Sequence, residues 1–477
     1  MTDSVPEGVR LLQEALGDRT ALPGSAAYAG ALDRVFFPDA ARRRPACVVA
    51  PASAEDVSSI MQIAQKAGCS VTVRGGGLSS NCVSDGAVMM DLSAHMDFSA
   101  ADGDVVVVGG GATMGTLLDA LAPQRRTVPI GIVRLAGLGL ATRGGVGFLT
   151  RSLGLTVDHL VWAELVLPSG DVARLSDEST GEDAELWWAV RGCAPSFGVV
   201  TRAAFRTHPA GPRFVDRMVV EPSGLGAYFD VAASLPRHTS MSAVLSTVPD
   251  DPSRRGLLVY TVCASDAPAD IEAARRAATA VADASGGPPM ARKLQTGRFL
   301  AGFPEMALLF SGGAEPVPVS APEPGERTGF FFGKSVFLGA TPGPDLADAL
   351  QEQLRRAPTP ACRIDFQHTG GALADVGDTE TAFWGRGAEW NAPVNAVSAD
   401  EGQRDECVAW ARDTVRALRP HAIGVYSVEL RPGFPETGAE VEAAYGGNLP
   451  RLRRLAERVD PAGVFDRYPP LGSSPAD

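Results

Sequence analysis

The stretch at residues 73–85, VRGGGLSSNCVSD, constrains the fold more than any other part of the chain. Three consecutive glycines, at positions 75–77, follow an apolar run with strand character at 69–73. Glycine is costly in regular structure and is useful where the backbone must approach another group closely. The pattern therefore predicts a strand that ends in a loop able to wrap a phosphate, with serine hydroxyls at 79 and 80 beside it. By itself the stretch leaves a plain turn open as the alternative.

Length and charge narrow the classes of function. The chain has 477 residues, which suits two domains that each bury an apolar core. Its formal net charge of −13 argues against a general nucleic-acid or anionic-membrane surface, because phosphate contacts need concentrated lysine and arginine. No apolar run approaches the roughly 20 residues of a membrane span, and the N-terminus is polar and acidic, unlike a secretory signal. We therefore predict a cytoplasmic protein with neither a membrane nor a nucleic-acid partner.

The cysteines and histidines give no sign of a metal site. Seven cysteines are scattered along the chain without a CxxC pair, and six histidines form no HExxH pattern. These spacings argue against a disulfide framework and against zinc. No metal is predicted, and the sequence does not determine the oligomeric state.

The rest of the chain divides into two compositional parts. Residues 55–67 form a helical pattern that Ser53 is placed to cap, and a second glycine-rich region at 129–147 suggests that one domain holds an extended ligand. After about residue 210 the strands lengthen and proline-rich connections appear, one of which, at 315–327, is predicted to be a loop. Within this second part, residues 425–430 (VYSVEL) are predicted to form a strand.

Taken in order, the segments PASAEDV, VRGGG-S, VMMDLS, RGGVGFLTRSLGLTVDHL, LWWAVRG, AYGGN-PRL and VDPAGVF make the chain resemble the berberine-bridge-enzyme-like branch of the FAD-linked oxidase superfamily. The resemblance implies an α+β fold of the two-domain vanillyl-alcohol-oxidase type. It further implies a PCMH-type FAD-binding domain at 1–210, a substrate domain with an antiparallel sheet backed by helices at 211–437, and a tail at 438–477 that returns to the FAD domain.

The resemblance also implies that FAD is the cofactor and that two glycine loops, one strand and the tail hold it. The residues so implied are Arg74, Gly75, Gly76, Gly77, Leu78, Ser79, Ser80, Gly139, Leu140, Arg143, Gly144, Gly145, Gly147, Val199, Val200, Tyr445 and Asn448.

Three positions depart from the family pattern. Members of this branch usually tether flavin through a histidine after the glycine triplet and often through a cysteine in the second loop. Here the first position is Leu78 and the second is Ile132 or Val133, so FAD is predicted to be non-covalent. Arg143 stands where a glycine is common, and three alternatives remain open for it: it contacts the FAD pyrophosphate, it obstructs the flavin, or it points to solvent.

The expected activity is oxidation of a small natural product, apolar and polycyclic or polyketide-like. A free flavin is a weaker oxidant than a tethered one, so a redox-neutral cyclase on the same scaffold is the alternative, with flavin structural or absent. A non-catalytic binding protein is a third possibility.

The catalytic residues are predicted in two places. Glu429 and Tyr426 lie three residues apart on the predicted strand, so that only one of them can face the pocket. Asp375 and Asp378 fall where plant relatives carry a catalytic glutamate, although a solvated loop would explain these acids equally well. An apolar pocket wall is predicted from Trp384, Trp390 and Phe366, with ordinary core packing as the alternative for these aromatic residues. His368, on one strand with Asp365, is predicted to be structural.

Overall fold

The computed structural model describes residues 6–210, 212–248, 251–298, 329–468 and 471, and the predicted loop at 315–327 lies outside them. The strands are β1 Thr20–Ala21, β2 Cys47–Val49, β3 Val71–Arg74, β4 Val88–Asp91, β5 Ser99–Asp102, β6 Val105–Gly109, β7 Arg126–Thr127, β8 Leu160–Val166, β9 Val172–Ser176, β10 Val199–Arg206, β11 His208–Pro209, β12 Pro212–Val220, β13 Thr239–Val248, β14 Asp251–Cys263, β15 Ala291–Arg298, β16 Phe330–Leu338, β17 Arg363–His368, β18 Trp390–Ser398 and β19 Ala422–Gly424.

Helices follow or flank these strands. They are α1 Glu7–Leu16, α2 Ala26–Asp33, α3 Pro38–Ala41, α4 Ala54–Ala67, α5 Met114–Leu121, α6 Leu138–Ala141, α7 Thr150–Leu153, α8 Gly181–Cys193, α9 Leu225–Ala233, α10 Pro268–Ala284, α11 Pro344–Arg355, α12 Arg404–Leu418, α13 Thr437–Tyr445 and α14 Leu449–Val459.

The N-terminal part contains a four-stranded and a five-stranded sheet. The first has the order β1-β2-β4-β3, with β2 and β3 parallel to β4, and the second has the antiparallel order β5-β6-β10-β8-β9. The helix between β2 and β3 begins where its sequence predicts, because the Ser53 hydroxyl accepts from the backbone N–H of Asp56 over 3.2 Å. It ends at Gly68, which takes the left-handed conformation with φ 63°. This βαβ unit delivers the glycine triplet at the end of β3.

The C-terminal part is built on one antiparallel sheet of eight strands, in the order β15-β12-β14-β13-β17-β18-β16-β19. One face of this sheet is apolar and packs against α9 to α12. Its buried side chains include Ile364, Phe366, Trp390, Val394 and Phe332. The other face of β16, β17 and β18 is turned toward the glycine loops of the N-terminal part.

The C-terminal tail packs back on the N-terminal sheets. Leu449, Leu452 and Leu455 of α14 belong to the buried cluster of the five-stranded sheet, and Phe465 and Tyr468 belong to that of the four-stranded sheet. Burial of the apolar stripe of α14 holds the tail there. The predicted domain boundaries at 210 and 437 stay a prediction.

The predicted strand at 425–430 is wrong. The strand β19 ends at Gly424, and residues Ser427–Glu429 form a single 3₁₀ turn. The chain leaves the sheet here because the hydroxyl of Tyr426 is bonded to backbone amides of the second glycine loop, and not because the residue types disfavour a strand. Alternation of apolar and polar residues also suits an irregular segment that is held by side-chain contacts.

Candidate active site

A cavity of about 710 Å³ lies between the glycine loops and the eight-stranded sheet, within the range of ligand pockets. Both halves of the chain line it. From the N-terminal part come Gly75, Gly76, Gly77, Leu78, Ser79, Ser80, Cys82, Ile132, Val133, Gly139, Leu140 and Arg143, and from the C-terminal part come Phe331, Ser335, Arg363, Asp365, Gln367, Asn391, Asn395, Tyr426, Glu429 and Arg431.

The first glycine loop lies against the second one. A Cβ on Gly76 would lie 2.1 Å from the backbone carbonyl oxygen of Leu135, and Gly77 has a φ of 77°, which side chains disfavour. Glycine is therefore required at position 76 by the packing of the two loops, and at position 77 by the left-handed backbone conformation. The loop is further anchored by Asn81, whose Nδ2 donates to the carbonyl oxygen of Leu430 over 3.0 Å.

Arg74 supports the loop from outside the cavity. It is buried and forms an ion pair with Asp91 over 2.7 Å. Burial would raise the pKa of Asp91, but the charges of Arg74 and Arg34 outweigh burial and lower it. Arg74 therefore has a structural partner and does not line the cavity.

The positions of the expected flavin tethers line the cavity with aliphatic side chains. Leu78, Ile132 and Val133 all reach it, and these aliphatic side chains carry no nucleophilic atom that could tether a flavin. Cys82 lines the same wall, but burial raises the pKa of its thiol to about 11, which keeps it protonated near neutral pH.

Arg143 is buried in the cavity wall, so the alternative in which it points to solvent is wrong. Its relative exposure is 7%. One guanidinium nitrogen lies 3.5 Å from the carbonyl oxygen of Ser427, and the guanidinium carbon lies 5.8 Å from the ring centre of Tyr468. Among the described residues no carboxylate forms an ion pair with it. A buried cation without an anion is costly, so this wall favours an anionic ligand.

Tyr426 joins the second loop to the cavity. Its hydroxyl oxygen accepts from the backbone N–H of Gly145 over 2.8 Å and from that of Val146 over 3.3 Å. Burial is the largest influence on its pKa and raises it to about 12, against the opposing effect of these two bonds. The phenol stays protonated near neutral pH and can donate its own hydrogen, so it is suited to a donor and not to a base.

Glu429 also lines the cavity, and the prediction that only one of Tyr426 and Glu429 could do so is wrong. The 3₁₀ turn brings both to the same side. The Glu429 carboxylate lies over Gly333 of β16, where an added Cβ would be 2.6 Å from its oxygen. Burial raises its pKa above the ordinary value of 4.5, Arg431 opposes the rise, and Asp365 adds to it. A carboxylate with a raised pKa in a cavity is suited to accept a proton.

The two predicted acids of the 375–380 loop lie outside the cavity. Asp375 is exposed and forms an ion pair with Arg237. Asp378 accepts from the backbone N–H groups of Gly385 and Arg386 over 3.0 and 2.8 Å, which orders a turn. Both acids therefore fit the alternative interpretation, in which they belong to a solvated loop and have no catalytic role.

Part of the predicted cofactor set also lies away from the cavity wall. Val199 and Val200 are paired with β8 in the five-stranded sheet, and Tyr445 lies against Cys193, whose sulfur is 3.1 Å from its hydroxyl. Asn448 donates to the carbonyl oxygen of Asp378 over 2.6 Å. The predicted residues that do not line the cavity are Arg74, Gly144, Gly145, Gly147, Val199, Val200, Tyr445 and Asn448. Their contact with a cofactor stays a prediction.

The predicted aromatic wall is wrong. Trp390 and Phe366 are fully buried on the far face of the sheet, and Trp384 packs against Gly446. The cavity is instead lined by the alternate residues of β17 and β18, most of which are polar, with Pro393 and Val397 as the apolar exceptions. The missed signal is the alternation in RIDFQH and WNAPVNAVS, which fixes two faces of opposite polarity.

Sequence reasoning also missed an aromatic and cationic cluster at the cavity. Phe37 stacks on Phe331 with ring centres 4.2 Å apart, and the Arg431 guanidinium lies 5.1 Å from the Phe331 ring. Phe37 precedes α3 and Phe331 lies on β16, so this stack joins the two parts of the chain beside the cavity. No local sequence signal links these positions, because they are almost 300 residues apart.

None of the described helices is long and apolar enough to cross a membrane. Within the described ranges, no group of three or more histidine, cysteine, aspartate or glutamate side chains could hold a metal ion.

Comparison with known proteins gives matches in sequence and in structure. A family model described as an FAD binding domain matches residues 45–176. An FAD-linked oxidoreductase of Dictyostelium discoideum is 24% identical over 435 residues, which cover 88% of this chain and 87% of that protein. The (R)-6-hydroxynicotine oxidase of Paenarthrobacter nicotinovorans is 39% identical over 166 residues, covering 33% of this chain and 35% of that protein.

Among solved structures, BBE-like 1 of Physcomitrella patens has a TM-score of 0.81 at 20% identity, covering 98% of this chain and 100% of that chain. Berberine bridge enzyme of Eschscholzia californica has a TM-score of 0.79 at 16% identity, covering 99% and 100%. At such identities the likeness establishes the fold, and the predicted two-domain α+β class is confirmed.

The FAD-binding domain and the full-length relative together define the class of protein: the chain is an enzyme of the FAD-linked oxidoreductase type. Its residues 45–176 match the FAD binding domain, and its fold is that of the berberine-bridge-enzyme-like structures.

Proposed function

We propose that the protein oxidises a small molecule with FAD that is bound without a covalent link. The observation that carries the proposal is the composition of the cavity, in which one enclosed space joins the glycine loops, the buried cation of Arg143 and the carboxylate of Glu429. The first two suit a dinucleotide cofactor, and the third suits proton removal from a substrate.

The residues of the cavity suit FAD by backbone access and by charge. Gly75 and Gly76 bring backbone close to the ligand space, and Arg143 supplies the positive charge that a pyrophosphate requires. Leu78 and Ile132, at the tether positions, offer aliphatic contact only. We infer that burial and the Arg143 charge retain the cofactor.

Glu429 and Tyr426 are the residues that we propose for proton handling. FAD, when bound, would supply an acceptor for a hydride, which is a proton with two electrons, from the substrate. The substrate then loses a proton as well, and Glu429 accepts it from the donor atom, so that the oxidised product leaves with two hydrogens fewer. Tyr426 donates its hydroxyl hydrogen to an oxygen or nitrogen of the substrate, because its oxygen is already held by two backbone amides.

The absorbance spectrum of the purified protein tests the cofactor, before and after denaturation. We expect a yellow protein from which denaturation releases all of the flavin into the supernatant. Flavin that stays with the precipitate would contradict non-covalent binding. A colourless protein that remains active would contradict the proposed function altogether.

The product mass tests the reaction. A product two hydrogens lighter than its substrate is expected. An isomer of equal mass would instead support the redox-neutral cyclisation that the missing tether leaves open.

A further inference from the structure

The floor of the cavity is a grid of polar side chains on strands whose opposite faces are apolar. β17 presents Arg363, Asp365 and Gln367 to the cavity, whereas Ile364 and Phe366 lie in the core beneath. A strand that alternates in this way commonly turns its polar face to water. Here that face is enclosed, so its polar groups are available to a ligand.

The neighbouring strand fixes the orientation of this grid. On β18, Asn395 lies opposite Arg363, and Asn391 lies opposite Gln367. Asn395 Nδ2 donates to Asp365 Oδ2 over 2.8 Å, and Asn391 Nδ2 donates to Gln367 Oε1 over 2.8 Å. These bonds hold the side chains in place before any ligand binds, which reduces the entropy lost on binding.

Asp365 is the member of the grid with an unused acceptor. Its relative exposure is 7%, and its Oδ1 atom has no hydrogen-bond partner among the described residues. Arg363 Nε lies 3.5 Å from Oδ1, an ion-pair separation without hydrogen-bond geometry. A buried carboxylate oxygen without a donor is costly, and such an atom calls for a ligand, a water or a catalytic role.

We propose that Asp365 Oδ1 accepts a hydrogen bond from the substrate, and that the substrate carries a hydroxyl or ammonium group on the part that lies over β17 and β18. The inference rests on the proposed function, since it takes this cavity as the substrate site. Asp365 is then a specificity-determining residue, distinct from Glu429, which accepts the proton. A site built this way rejects an analogue without the donor, because the Oδ1 atom then stays buried without a hydrogen bond.

Three probes that differ in one group test the proposal. They are 2-naphthylmethanol, 2-naphthylmethylamine and 2-methylnaphthalene, titrated into the FAD-loaded full-length protein by calorimetry. At least one of the first two should bind about tenfold or more tightly than 2-methylnaphthalene. The tighter of these two identifies the donor as a hydroxyl or an ammonium group. Equal binding of all three, tightest binding of 2-methylnaphthalene, or no binding of any probe would overturn the proposal.

Variants tie the preference to Asp365. Asp365→Leu should abolish the preference for the donor-bearing probe, whereas Asp348→Asn, a change in an exposed aspartate of α11, should leave it intact. Asp365→Asn is the second variant, in case the first does not fold, and should at least abolish a preference for the ammonium probe by removing the charge. A preference that survives in a folded Asp365 variant would overturn the proposal.

The same samples separate this inference from the proposed function. Flavin content is read from absorbance, whereas probe binding is read from heat and needs no flavin. Protein without FAD that still prefers the donor-bearing probe would contradict the proposed function and support this inference. Protein that holds FAD and oxidises a substrate, but binds the three probes without preference, would support the proposed function and contradict this inference.

Discussion

The two walls of the cavity are built by different means. The glycine-loop wall uses backbone and aliphatic side chains. Of the two buried arginines predicted to bind the cofactor, Arg74 and Arg143, Arg143 lines this wall and Arg74 does not. The sheet wall uses side chains that hydrogen-bond to one another, such as Asn395 to Asp365. The backbone and aliphatic groups of the first wall suit a cofactor that many enzymes share. The ligand preference of the second wall depends on its individual side chains. Changes in the first should therefore affect cofactor retention, and changes in the second should affect chemistry and selectivity.

The largest effect is expected on the sheet side, from Glu429→Gln. Loss of a positioned base costs about 10²–10⁴-fold in rate, while the flavin content should stay unchanged. Rapid mixing with substrate without oxygen measures the rate of flavin bleaching. The wild-type carboxylate must be ionised to accept a proton. The rate of flavin bleaching in the wild type should therefore fall as the pH drops, with a midpoint above 4.5.

A variant with normal bleaching would show that Glu429 is not the base. Reduced flavin content in the same variant would show that the two walls are not separate in function. Glu406→Gln on α12 is the matched control, since Glu406 is exposed and does not line the cavity.

On the loop side, Arg143→Gln should weaken FAD binding by about 10- to 100-fold, because a charge-assisted hydrogen bond contributes about 1.5–3 kcal/mol. Titration of flavin-free protein with FAD, followed by flavin fluorescence, gives the Kd. Arg174→Gln is the control, since Arg174 lies over the Trp162 ring outside the cavity. An unchanged Kd for FAD in the Arg143 variant would show that the Arg143 side chain binds an anion other than FAD.

A smaller effect is expected from Gly76→Ala, where the new Cβ meets the Leu135 carbonyl oxygen. Overpacking of this kind costs about 1–3 kcal/mol of folding free energy. Chemical denaturation measures it, and Gly226→Ala, whose Cβ would meet nothing within 4 Å, is the control. Equal stability of the two variants would mean that the loops can separate at no cost.

Sequence reasoning was effective where the signal is local. The Ser53 cap and the glycine triplet could both be predicted from a few neighbouring residues, and the order of such segments indicated the fold. It failed where tertiary contact decides. The 425–430 segment alternates like a strand, yet its path is set by a bond from Tyr426 to a loop about 280 residues earlier. The alternation of β17 was visible in the sequence, but Phe366 on its apolar face was predicted to line the pocket, and the polar face was not considered.

The smallest expected effect concerns stability and pH, and it follows from the raised pKa of Glu429. The folded protein binds this proton more tightly than the unfolded chain, so the ionised carboxylate lowers stability as the pH rises through the interval above 4.5. Glu429→Gln removes that penalty. The melting temperature of the variant should exceed that of the wild type by about 1–3 °C at pH 8 and match it at pH 4, with FAD saturating in both.

Glu401→Gln gives the opposite sign and completes this test. Arg404 lowers the pKa of Glu401 through a side-chain hydrogen bond, so its ionised form stabilises the folded protein above the ordinary pKa and loses that effect in acid. This variant should therefore melt below the wild type at pH 8. If both variants shift in the same direction, the Glu429 effect comes from altered packing, and the carboxylate is not held in the desolvated site that the sheet wall requires.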